Sequence, residues 1–197
     1  TIRRRMQVVL FRDTQQYVEA LRKDNPGVER STGFYSDDRQ TIFLIANPLD
    51  VPTLRHELVH QLFRQATRSN LGKNMPGEQR DFWLVEGIAG YFESMAVAEK
   101  DSTVTLGGWD SPRLQFARYR VMAGGDDMPI DELRRDGRLA AQQRPDLPRW
   151  YAHAIAQTHR LLDSGDIDAR KWVYQKLAEL YAIKFDQSDA TPQPNAP

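Results

Sequence analysis

Two of the four histidines in this 197-residue chain stand four positions apart, in the segment RHELVHQLFRQ from Arg55 to Gln65. That spacing constrains the fold more than any other feature. In an extended strand, residues four apart are separated by roughly 13 Å. In an α-helix, which turns about 100° per residue, they return to one face one turn later. On a helix, His56 and His60 reach a single ion. Glu57 lies one residue round from His56, so it reaches a water beside that ion more easily than the same ligand position. This is the H-E-x-x-H arrangement, in which two imidazoles bind zinc and the glutamate is the general base. The competing reading is a solvated helix face that carries two imidazoles.

A catalytic zinc usually has three protein ligands and one open position. The other histidines, His153 and His159, lie far downstream, and a carboxylate is the alternative. The segment FWLVEGIAGYFE places Glu86 on a helix with the apolar residues Trp83, Leu84, Ile88, Tyr91 and Phe92. A carboxylate in such surroundings is costly to bury without a partner. Gly87, Ala89 and Gly90 are small enough for the histidine helix to lie close, as a shared ion requires. The other reading is a surface glutamate, with glycines chosen for packing alone. Glu93 is seven residues after Glu86, on nearly the same face. It is either the acceptor for the second N–H of a zinc-binding histidine or a solvated helix glutamate. Trp83 and Tyr91 are expected in the core.

The rest of the chain suggests one α+β domain over residues 1–185, with 186–197 (DQSDATPQPNAP) a tail or linker by composition. MQVVLF (6–11) is suited to a buried strand, and Asp13 caps a helix that ends before Asn25-Pro26-Gly27. TGFYS and QTIFLIAN are strands around the turn SDDRQ. Helices follow, with Leu54, Leu58 and Leu62 at spacing four on the first, a second over 81–100 and a third over 112–124. A turn or two in PIDELRRDG and two more helices, over 149–165 and 166–183, complete the chain. The expectation is a small N-terminal mixed sheet with an edge strand, then a mainly helical body.

Lysine plus arginine equals aspartate plus glutamate, at 27 each, so nothing argues for nucleic acid or an anionic membrane as partner. Arg3-Arg4-Arg5 is too short to change that and suits a solvated terminus. The absence of cysteine removes disulfides, thiolate catalysis and Cys-rich zinc sites. No apolar run approaches the roughly 18 residues that a membrane span needs. The chain starts at Thr1, which suggests a trimmed chain and favours an extracytoplasmic location.

HELVH followed by WLVEGIAGYFE resembles the gluzincin metallopeptidases, the group that includes thermolysin and the zinc aminopeptidases. There, HExxH is followed by a glutamate on a later helix, often as E-G-x-A-x-Y. His60 and Glu86 are 26 positions apart, longer than in thermolysin-like enzymes, and the loop 70–80 absorbs the difference. The chain is most similar to small bacterial proteins with this catalytic core. The resemblance runs from about Met6 to Leu162, with its motifs in 53–93 and 151–162.

The resemblance implies a zincin-like fold with His56, His60 and Glu86 as Zn²⁺ ligands and Glu57 as base. It also implies that the strand over 40–46 is the edge strand that pairs with an extended peptide substrate. Tyr151, leading YAHAIAQTHRLL, occupies the place of a tyrosine that assists the reaction. Its alternative is a core tyrosine beside Ile155 and Leu162. His153 and His159 are rivals for the same role, and His159, which matches a position where the family often has a histidine, is expected to pack. The G-A-M-E-N motif of the aminopeptidases is absent, which points to internal cleavage. The expected function is therefore zinc-dependent peptide hydrolysis. The alternatives are a catalytically idle metal- or peptide-binding module on the same fold, or a helical scaffold without metal.

Overall fold

A computed structural model of the chain describes residues 5–98, 100–108, 111–119 and 123–184. It is an α+β fold, a small mixed sheet followed by a helical body. The sheet contains β1 (Gln7–Phe11), β2 (Gly33–Ser36) and β3 (Thr41–Ile45), in the order β1-β3-β2. β3 is parallel to β1, with Gln7 opposite Thr41, and antiparallel to β2, with Ser36 opposite Thr41. Between β1 and β2 lies α1 (Thr14–Leu21), started by Asp13, whose carboxylate accepts the Gln16 N–H at 2.9 Å. Tyr17 and Leu21 of α1 close one face of the sheet with Val28, Phe43 and Ile45. The other face meets α2 (Val51–Leu71).

Two expectations about the sheet are corrected. The strand over 40–46 is not an edge: β3 is hydrogen-bonded on both sides and every residue in it is buried. The edge strands are β1 and β2. β1 is a strand, but not a buried one, because its outer side has no neighbour among the described residues. Val8, Val9 and Leu10 are 40–54% exposed. A continuous apolar run indicates burial only where both neighbours exist.

α2 is set by its ends. The Asp50 carboxylate caps it through Thr53 N at 3.1 Å, Pro52 sits in the first turn, and Gly72 (φ 59°) ends it. The leucines at spacing four do not form its buried stripe. Leu62 is exposed and Leu54 and Leu58 are half-buried, whereas His56, Val59, Arg64 and Thr67 are buried. The helix thus turns a largely polar face inward.

α3 (Phe82–Glu93) stops earlier than expected. Residues 96–97 (β4) and 104–105 (β5) pair as a small antiparallel hairpin. The third expected helix is α4 (Pro112–Ala117), and residues 120–122 of that expectation lie outside the described residues. α5 (Ile130–Arg135) and a short α6 (Arg138–Gln142) precede the long α7 (Leu147–Asp163) and α8 (Ile167–Leu180). The second of these short helices was not anticipated. Arg3, Arg4 and the tail over 186–197 also lie outside the described residues.

The main core sits where α2, α3, α7 and α8 meet, with Trp83, Leu84, Trp150 and Val173 fully buried. Phe82 stacks on Trp150, and Trp83 on Trp172. The glycines of α3 serve α7, not α2 as the sequence suggested. A Cβ on Gly87 would lie 2.0 Å from Thr158 Oγ1 and 2.8 Å from the Ala154 carbonyl, and one on Gly90 would lie 2.4 Å from Ile155 Cγ1. No helix among the described residues is long and apolar enough to cross a membrane.

Candidate metal centre

α2 supplies His56 and His60, and α3 supplies Glu86 from a stretch in which every residue from Phe82 to Gly90 is buried. The three side chains converge. His56 Nε2 lies 3.2 Å from Glu86 Oε2 and 3.1 Å from His60 Nε2, and His60 Nε2 lies 3.7 Å from Glu86 Oε2. Each residue offers one ligand atom, and these atoms lie within 4.8 Å of one another, so the trio could hold one metal ion.

The orientation of His56 is fixed from behind. Its Nδ1 lies 2.8 Å from Glu93 Oε1, which turns Nε2 toward the centre. Glu93 is fully buried, not solvated. It accepts from Ser111 Oγ at 2.9 Å and from the Arg113 guanidinium, while Arg55 donates to its backbone carbonyl. Burial alone would lower the His56 pKa, but hydrogen bonds to Glu86 and Glu93 outweigh it and raise the imidazole to about 10. Burial would likewise push the Glu86 carboxyl up, yet His60 and His56 hold it well below the ordinary carboxylate range. Without an ion, the centre therefore keeps an anionic carboxylate beside a protonated His56. A cation can take over that role, releasing the proton.

Glu57 stands beside the trio and outside it. Its Oε2 accepts the backbone N–H of Tyr35 at 2.8 Å. Tyr35 belongs to β2 and its N–H points away from β3, so the sheet's free edge on this side holds the carboxylate at the cleft. The cleft measures about 1400 Å³ and contains His56, Glu57, His60, Glu86, Tyr151 and the whole of β2.

Tyr151 enters the cleft from the first turns of α7, next to Glu86 and Glu57. Burial and those two carboxylates push its phenol well above the usual range, so it keeps its proton. The two rival histidines are not in this wall. His153 Nε2 is buried without a partner among the described residues, and burial followed by the nearby Arg149 lowers its pKa. His159 lies 3.1 Å from Asp163, which also accepts from the Tyr91 hydroxyl at 2.7 Å. His159 thus packs, and Tyr91, expected in the core, is half-buried in this small network.

Several residues at the site are absent from the sequence reading. Ser111 is legible as a helix cap, since it accepts from Leu114 N at 3.3 Å, but its hold on Glu93 spans 18 residues. Arg113, the Tyr35 N–H and Tyr181 carry no local signal. Tyr181 follows α8 directly and lines the cleft between Glu86 and Arg64.

The chain belongs to the family described as "Protein of unknown function (DUF1570)", which it matches over residues 50–180. That span contains the trio, Glu57, Glu93 and Tyr151, but not the sheet. Comparison with the curated proteins and with the solved structures found no match.

Proposed function

We propose that this DUF1570 member is a zinc-dependent peptidase of the gluzincin type that cleaves within peptides. Zinc bonds of about 2.0–2.1 Å at tetrahedral angles set donors roughly 3.3 Å apart, close to the 3.1, 3.2 and 3.7 Å between the three donor pairs. Two imidazoles and one carboxylate suit that metal and leave a position open. The observation that carries the proposal is Glu57, a carboxylate excluded from the trio yet held beside it by a strand-edge N–H. A purely structural site usually has four protein ligands and needs no base.

When bound there, zinc supplies Lewis acidity and lowers the pKa of a bound water toward 7. His56, His60 and Glu86 hold it, and Glu93 keeps His56 in the correct tautomer. Glu57 accepts a proton from the attacking water and passes it to the leaving amine. Tyr151 retains its proton and donates a hydrogen bond to the oxygen that becomes the oxyanion. The peptide lies extended along β2, whose free edge lines the cleft, and not along 40–46.

The test is cleavage of labelled casein by the zinc-loaded wild type and by Glu57→Gln. The variant is expected to retain zinc and to lose about 10²–10⁴ in rate. Undiminished cleavage by a zinc-loaded variant removes Glu57 as base. No cleavage by either protein favours the idle metal- or peptide-binding module.

A further inference from the structure

His56, His60 and Arg64 recur every four residues on α2 and all line the cleft. Arg64 therefore stands one turn beyond His60, about 6 Å along the helix axis. It is only 3% exposed. Its Nε donates to Asp37 Oδ1 at 2.8 Å, and its Nη2 donates to Asp37 Oδ2 at 3.1 Å and to the Gly72 carbonyl at 3.0 Å. The remaining nitrogen, Nη1, is buried and has no hydrogen-bond partner among the described residues. A buried guanidinium N–H without an acceptor carries an uncompensated desolvation cost. A ligand oxygen at this position removes that cost.

A second arginine stands beside Arg64. Arg68 Nη1 lies 3.6 Å from Asp37 Oδ1, so two guanidiniums share one carboxylate. Lys73 lines the same cleft, whose acidic lining residues are Asp24, Asp37, Asp38, Glu57 and Glu86. Tyr181 adds a hydroxyl. Its ring is buried against Phe63, it lines the cleft, and its O–H has no partner among the described residues.

We propose that Arg64, with Tyr181 beside it, forms a subsite for a carboxylate of the bound peptide, one helical turn from the metal centre. The proposal rests on the peptide-binding part of the function given above, and not on catalysis. The carboxylate is either the peptide's C-terminus or an acidic side chain, and both offer the planar oxygen pair that best accepts from an arginine's N–H groups.

The experiment is retention of a digested-proteome peptide library on the immobilised full chain, in the presence of a chelator so that nothing is cut. Retained peptides are identified by mass spectrometry. Three libraries are compared: untreated, amidated at the C-terminus only, and amidated at every carboxyl. Peptides with free carboxylates are expected to be enriched about tenfold or more over the fully amidated library. Loss of enrichment on C-terminal amidation alone assigns the terminus, and its survival assigns the side chain. Arg64→Lys, which keeps the charge but removes the forked N–H groups, is expected to abolish the preference. Equal retention of untreated and fully amidated peptides by the wild type overturns the subsite even if the variant does not fold. An unchanged preference in a folded Arg64→Lys protein overturns it as well. Because no turnover is read, an enzyme that proves inactive leaves this result interpretable.

Discussion

Glu93 links the metal trio to the rest of the protein, since its carboxylate touches His56, Ser111 and Arg113. A metal-binding histidine held by such a carboxylate is a better ligand, and losing the partner typically costs 10–100-fold in metal affinity. Glu93→Gln is expected to weaken zinc binding by about that factor in competition with a chromophoric chelator. Unchanged affinity in the folded variant would show that His56 does not depend on this contact. In the proposed reaction Tyr151 acts on an oxygen that becomes negative only as water adds to the carbonyl, so its loss is expected in kcat and not in KM or zinc content. Tyr151→Phe is predicted to lower kcat by roughly 10²–10³, whereas a core tyrosine predicts near-normal turnover. At this scale the sequence is informative about His56, Glu57, His60 and Glu86, because two of them are tied by helical period and one is a carboxylate in an apolar helix. It is silent about Arg113, Tyr181 and the Tyr35 N–H. Those reach the site through contacts between segments distant in the chain, which leave no periodic trace.

The contact of α3 with α7 sets where Tyr151 stands relative to Glu86. Gly87→Ala is expected to force that contact apart, since the new methyl would meet Thr158 Oγ1 and the Ala154 carbonyl, and the carbonyl belongs to backbone. Overpacking of this kind costs about 1–3 kcal/mol, measurable as a lower urea midpoint. A variant as stable as wild type would mean that the helices are not held at this distance by the glycine. The helices themselves are readable from the sequence where the signal is local. Asp13 caps the helix assigned to it, and Pro52 and Gly72 mark the two ends of α2. The failures are equally physical. The order β1-β3-β2 depends on a parallel crossover through α1, so alternation within QTIFLIAN does not distinguish a central strand from an edge. Gly87 and Gly90 announce a close helix neighbour without saying which. SMAVAEK contains good helix formers, yet Ala96–Val97 is used in a hairpin once Val104–Thr105 is available to pair with it.

At the scale of the whole molecule, folding encloses both the candidate metal centre and a histidine away from it. His153 is buried, and burial, then Arg149, lowers its pKa from 6.5 despite Asp126, Asp127 and Glu132 nearby. The unfolded chain takes up that proton first as pH falls. Its contribution to stability is therefore present above 6.5 and is lost as pH falls through the lowered folded value. Melting temperature is expected to drop over that window, and less steeply in His153→Leu than in wild type. An identical slope in both would assign the acid sensitivity elsewhere. The α+β division is legible because the pattern changes near residue 50 from alternating apolar runs to helical periods. The shared cleft is not legible, because β2, α2, α3 and α7 meet there only in the folded chain. In the proposed function this cleft holds a zinc ion on His56, His60 and Glu86. Metal content by mass spectrometry after zinc reconstitution and dialysis, in wild type and His60→Ala, decides it. One zinc per chain in the wild type, and a large loss in the variant, is the predicted result. A wild-type stoichiometry near zero, or equal zinc in both proteins, contradicts it.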